Sequence, residues 1–240
     1  MPVYSDAKCT IFFGNKELSV DPATVRGTTY SQVAQQQPFA TYQQVLGFQD
    51  LVLLHQTHGI DGLYVPHDSK ELTLFTYDGD YVITTTSRFG IGVATADCLP
   101  VVMTVFDKKI GAVIHAGWRG LLGGIVQVVL ERLQHEFKVD LADIHVFVGP
   151  AAGGCCYEVG QDFIATNADK RGFQQAVYKD GVTYNFDSKV FLINLLLENR
   201  IRESAINSSY AVCTICEPLY CSYRREKKSP LRQLTILSLK

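Results

Sequence analysis

Residues 81–116, YVITTTSRFGIGVATADCLPVVMTVFDKKIGAVIHA, contain four short β-rich runs: YVITTT (81–86), IGVATA (91–96), VVMTVF (101–106) and IGAVIHA (110–116). Turn-forming or charged residues separate them, so the stretch predicts consecutive strands. Working outward, LVLLH (51–55) and IHVFVG (144–149) have the same character. A last strand is expected in LRQLTILSL (231–239), after a turn containing Lys227, Lys228 and Pro230. Downstream of His115 the period changes: Leu122, Ile125, Val129 and Leu133 recur at three- and four-residue steps, which predicts a helix over 121–135 lying on a sheet. The turn HAGWRG, with Gly117 and Gly120, leads into it. A second helix is expected over 188–199, N-capped by Asp187, with Val190, Phe191 and Leu195 on its apolar face. Several adjacent strands with few helices predict an α+β fold, a mixed β-sheet with flanking helices, rather than regular βαβ winding.

Composition bounds the rest. The chain has 240 residues, 47% of them hydrophobic, enough for a substantial core. With no Pro-, Gly- or Ser-rich linker and no repeat, residues 1–240 are expected to form one domain. A formal net charge of −2 argues against the broad basic field that nucleic-acid binding requires. The N-terminal MPVYSDAKCTIFFG lacks the pattern of a signal peptide, and no apolar run is long enough to span a bilayer. The expectation is a cytoplasmic protein with no membrane or nucleic-acid partner. Seven cysteines, an odd number, make a disulfide framework improbable and raise thiol chemistry or metal ligation.

Three residues stand where strands give way to turns: His58 in HQTHG, Cys98 in ATADCLP and His115 in AVIHAGWRG. Two imidazoles and a thiolate suit Zn²⁺ with one tetrahedral position left open. Their spacing follows no compact metal-binding pattern. The residues alone therefore also allow a buried small Cys98 and two hydrogen-bonded core histidines. Cys98 as nucleophile with His115 as base would instead make a metal-free cysteine hydrolase or deamidase.

HQTHG, TADCLPV, HAGWRG, VGPAAGGCCYEVG and SYRR, in this order, resemble the YfiH family, also called the laccase-domain or polyphenol oxidase family. The motifs cover roughly residues 51–225. The resemblance implies a zinc held by His58, Cys98 and His115. It also implies phosphorolysis of adenosine, inosine, guanosine or methylthioadenosine, with deamination of adenosine, so that a purine nucleoside and phosphate are the expected small-molecule partners. Nothing in the sequence sets an oligomeric state.

Deamination needs an activated water and a group that moves a proton to the departing ammonia. Asp97, beside Cys98, is the nearest catalytic candidate in sequence, although strand alternation also allows it to hold a ligand or the turn in place. Phosphorolysis needs an anion site, for which Arg119 and the glycines of HAGWRG are candidates, and Trp118 can either stack on a base or pack into the core. The Gly-rich loop 149–160 carries Tyr157 and Glu158, further substrate-binding candidates implied by the resemblance; Arg224 and Arg225 can reach an anion or face water. The N-terminal segment departs from the family pattern, so a substrate-binding arginine there has only Arg26 as a counterpart. The family's Gly-Arg pair is replaced by Leu231-Arg232, and the aromatic before SYRR by Cys221. Six histidines are too few for a multicopper centre, and a single copper with Met103 as a distant axial ligand is the less favoured metal. A degenerate, non-catalytic binder is the remaining alternative.

Overall fold

The computed structural model describes residues 3–240, apart from the side chain of Asp180; Met1 and Pro2 of the N-terminal stretch lie outside it. In chain order the strands are β1 (Val3–Ser5), β2 (Cys9–Phe13), β3 (Asp50–Leu53), β4 (Gly62–Val65), β5 (Tyr81–Thr84), β6 (Phe89–Thr95) and β7 (Leu99–Val105). There follow β8 (Ile110–Ala116), β9 (His145–Val148), β10 (Glu158–Val159), β11 (Val177–Asp180), β12 (Thr183–Phe186), β13 (Ile206–Asn207) and β14 (Gln233–Leu239). The helices are α1 (Pro22–Val25), α2 (Tyr30–Val33), α3 (Phe39–Leu46), α4 (Trp118–Gly123), α5 (Ile125–His135), α6 (Gln161–Asn167) and α7 (Ser188–Glu198).

The predicted runs are strands, but they do not build one sheet. A five-stranded sheet has the order β1-β2-β14-β6-β3, and a six-stranded sheet the order β13-β9-β7-β8-β5-β4. Both are mixed: β3 runs parallel to β6, β4 to β5 and β13 to β9, and the other pairs are antiparallel. A small antiparallel sheet, β10-β12-β11, stands apart. The reason for two large sheets lies in the sequence of the central strands. β6, β7 and β8 are buried along their whole length, so each needs apolar cover on both faces.

Strand alternation distributes that cover into layers. Val52, Ile91, Val93 and Leu237 of the five-stranded sheet meet Val82, Val102 and Val113 of the six-stranded sheet in one cluster. The opposite face of the six-stranded sheet, through Val101, Met103, Ala112 and Ile114, packs on α5 and α7. The outer face of the five-stranded sheet, through Phe12, Leu51, Leu53 and Ile236, is covered by α2 and α3. The order of layers is helix, sheet, sheet, helix.

Helix α7 begins as its sequence dictates, with Asp187 accepting from the amides of Lys189 and Val190 at 3.0 and 3.1 Å. The helix expected over 121–135 starts earlier and is broken. Gly124, at φ 99°, ends α4 and separates it from α5. Glycine adopts that left-handed conformation at the least backbone cost, so the chain changes direction there. The apolar stripe survives on α5, where Ile125, Val129 and Leu133 are buried. Among the described residues no helix is long and apolar enough to cross a membrane.

Candidate metal centre

Two crossings between the large sheets and one strand end bring the three ligand candidates together. His58 lies in the connection from β3 to β4 and Cys98 in the turn from β6 to β7, and each connection passes from the five-stranded to the six-stranded sheet. His115 is the penultimate residue of β8. Their ligand atoms lie within 4.8 Å of one another, with Cys98 Sγ 3.8 Å from His58 Nε2. The imidazoles stand edge to face at 4.8 Å between centroids. Gly117 makes room for them: a Cβ there would lie 2.8 Å from His58 Cδ2 and 3.3 Å from Cys98 Sγ.

Behind the three stands a residue that the sequence reading passed over. Asp80 is fully buried, and its Oδ1 lies 2.7 Å from Nδ1 of His115. The same carboxylate accepts from the Thr57 hydroxyl at 2.9 Å and from the amides of His58 and Gly59 at 3.0 and 2.7 Å. One side chain thus fixes both histidine-bearing segments. With Nδ1–H donated to Asp80, Nε2 is the atom of His115 that a metal would bind, in place of the proton that Cys98 and Asp80 help the metal-free ring to hold against burial. Burial opposes the charge of Asp80, but donation from His115, the Gly59 amide and Thr57 holds its carboxyl below the usual range. Burial likewise opposes a Cys98 thiolate, and His115 and His58 outweigh it, lowering the thiol into its ligating form. The available signal was an aspartate in YDGD, immediately before the buried strand β5.

A cavity of about 650 Å³ opens beside these residues. Its wall includes all three ligand candidates, the arginines Arg26, Arg119, Arg224 and Arg232, and the aromatic rings of Trp118, Tyr157 and Tyr223. Arg119 lies over the Trp118 ring at 4.4 Å and Arg224 over Tyr157 at 4.9 Å. Arg224 donates to the Glu158 carbonyl, and Arg232 to the carbonyls of Ser229 and Leu231. Among the described residues none of the four arginines is ion-paired with a carboxylate. Arg26 and Arg232, which stand where the sequence departs from the family pattern, therefore reach the same wall as the matching motifs.

The other candidates separate. The Glu158 side chain is exposed and outside the cavity wall, because the residue opens β10; its main chain is what engages Arg224. Arg225 turns away from the cavity and donates to the carbonyls of Thr214, Ile215 and Tyr220, tying the 214–220 loop together. Asp97, at φ 85°, lines the cavity, but Oδ1 accepts from the Thr214 hydroxyl and Oδ2 from the Arg224 amide, both at 2.7 Å. Tyr157 is kept protonated, its hydroxyl pushed up to about 12 first by burial and then by Cys98. Trp118 is half-buried and meets Phe163 at 5.1 Å, so it serves the core and the wall at once. Met103 packs in the core on the helix side of β7, which removes it as an axial ligand. Among these residues, two imidazoles and one thiolate within reach of one another can hold a single metal ion, and their chemistry fits zinc.

The family described as multi-copper polyphenol oxidoreductase laccase matches residues 21–240. A purine nucleoside phosphorylase of Aquifex aeolicus is 36% identical over 185 residues, covering 74% of this chain and 83% of its own. An adenosine deaminase, RL5, from an unknown prokaryotic organism is 34% identical over 120 residues, 48% of this chain and 45% of its own. In structure the chain is similar to YfiH of Bacillus licheniformis, with a TM-score of 0.79 at 23% identity, covering 97% of this chain and 93% of that one. With a family match across 21–240 and close agreement with the YfiH architecture, the chain belongs to the laccase-like YfiH family.

Proposed function

We propose that this chain is a zinc-dependent purine nucleoside phosphorylase, with His58, Cys98 and His115 as the zinc ligands. The observation that carries the proposal is the union of that three-ligand set with a cavity walled by four arginines that, among the described residues, have no carboxylate partner. The cavity volume of about 650 Å³ suits a small organic substrate. Bound to these residues, zinc supplies a Lewis acid with one coordination position free for chemistry.

In phosphorolysis a phosphate oxygen bonds to C1′ of the ribose as the bond from C1′ to the base nitrogen breaks, and the departing purine takes up a proton. Arg119 and Arg224 offer planar, permanently charged donors for the phosphate. Tyr157 is a neutral hydroxyl donor suited to hydrogen-bond the departing base. Tyr223, 57% exposed at the wall, presents a face on which a purine stacks. Asp97 acts as a positioning residue, since it holds Arg224 through the main chain and both its oxygens are engaged.

Adenosine deamination is the second proposal for the same centre, supported by the relative named adenosine deaminase. Phosphorolysis leads because the wall is rich in guanidinium groups while Asp97 is its one carboxylate among the described residues. The test is incubation of the purified protein with adenosine, inosine and methylthioadenosine, with and without phosphate, followed by chromatography. Free base released only with phosphate is expected. Phosphate-independent inosine from adenosine would transfer the assignment to deamination, and covalent modification of Cys98 by substrate in zinc-free protein would transfer it to a cysteine hydrolase.

A further inference from the structure

Seven cysteines leave four unused by the centre and outside the core: Cys155, Cys156, Cys213 and Cys216. They come from two segments far apart in sequence, the Gly-rich loop with its Cys-Cys pair and a C-x-x-C pair, CTIC, at 213–216. A short parallel bridge sets their register. The Ala151 amide donates to the Val212 carbonyl at 3.1 Å, and the Thr214 amide donates to the Ala151 carbonyl at 3.0 Å. Each segment then turns: the Cys156 amide donates to the Gly153 carbonyl and the Glu217 amide to the Cys213 carbonyl. The turns carry all four thiols to one point.

The four sulfurs lie within 4.8 Å of one another, with Cys156 and Cys216 at 3.1 Å and Cys155 and Cys216 at 3.6 Å. A tetrahedral ion with zinc–sulfur bonds of about 2.3 Å requires sulfurs roughly 3.8 Å apart. A polynuclear iron–sulfur cluster, whose four thiolates are spread over two or more irons, needs a wider set. The Gly153 amide donates to Cys213 Sγ at 3.3 Å, and a Cβ at Gly153 would lie 3.3 Å from Cys155 Sγ, so the loop is shaped around the sulfurs. We propose that Cys155, Cys156, Cys213 and Cys216 form a second, structural zinc site of Cys₄ type, distinct from the His58–Cys98–His115 centre.

The two stapled segments lead directly into the cavity wall. Tyr157 follows Cys156, while Arg224 and Tyr223 follow the C-x-x-C turn, and Asp97 binds both Thr214 and the Arg224 amide. The ion fixes that wall from outside and has no open position for substrate.

Elemental analysis of three reduced, purified proteins tests the site independently of the catalytic proposal. Cys98→Ala is expected to retain one zinc per chain, and Cys98→Ala/Cys213→Ser/Cys216→Ser to retain none. Wild type should carry one zinc more than Cys98→Ala. Should the triple variant fail to fold, cobalt-loaded Cys98→Ala decides, since four thiolates give an intense sulfur-to-cobalt charge-transfer band and tetrahedral d–d bands. No metal in Cys98→Ala together with no such band overturns the site. Iron there in place of zinc overturns the metal assignment, and disulfides among the four cysteines in the freshly isolated protein overturn both.

Discussion

The two groups of side chains proposed to hold a metal differ in what stands behind them. His58, Cys98 and His115 sit at the ends and crossings of core strands, and a fully buried carboxylate, Asp80, orients one ring and holds both histidine segments. Cys155, Cys156, Cys213 and Cys216 sit on turns at or near the surface, backed by a main-chain amide from Gly153. Three ligands with a braced second layer leave a coordination position for chemistry, whereas four thiolates close the ion off. The first group is placed by the packing of two sheets; the second is placed by a short parallel bridge and the two turns that follow it.

The comparison breaks most directly at Cys98. Cys98→Ala is expected to abolish zinc binding at the centre and reduce activity to background, while circular dichroism and the thermal transition remain those of a folded chain. Retained activity without loss of metal would remove the three-ligand set from the account. Asp80→Asn comes next, with metal affinity at that centre reduced roughly 10- to 100-fold and the second site unaffected, measured by competition with a chelator. Arg224→Ala should raise KM for phosphate about 10- to 100-fold, the equivalent of a charge-assisted hydrogen bond of roughly 1.5–3 kcal/mol. An effect on nucleoside KM alone would place Arg224 on the wrong substrate.

Asp80 also carries a pH prediction. Its folded-state pKa is held below the ordinary carboxylate value, so the unfolded chain binds more protons in the interval between them. The stability it contributes is complete above the ordinary value of about 4 and is lost as pH falls through the lowered one. Acid denaturation of metal-free protein should therefore flatten in Asp80→Asn relative to wild type. The smallest expected effect is at Gly124, where alanine in a left-handed conformation costs about 1–2 kcal/mol, read as a lower thermal midpoint.

What the sequence made legible follows from how local each signal was. The strands in 81–116 and the α7 cap are written in contiguous residues, and the structure reproduces them within a residue or two at most ends. The partition into two sheets is not local, because β6 and β7 adjoin in sequence yet pair with different neighbours. His58, Cys98 and His115 were identifiable as metal-ligating residue types in matching motifs. Asp80 was not, since a lone aspartate before a strand resembles any turn residue until the fold buries it. The pair Arg224 and Arg225 shows the same limit: one guanidinium faces the cavity and the next binds loop carbonyls, a division set by backbone direction alone.

The most direct test of the central claim is the release of free purine base from inosine as a function of phosphate concentration, by wild type and Cys98→Ala at equal amounts of folded protein. The account predicts release by wild type that rises with phosphate to saturation and none above background from Cys98→Ala. Release that ignores phosphate, or that Cys98→Ala matches, would contradict it.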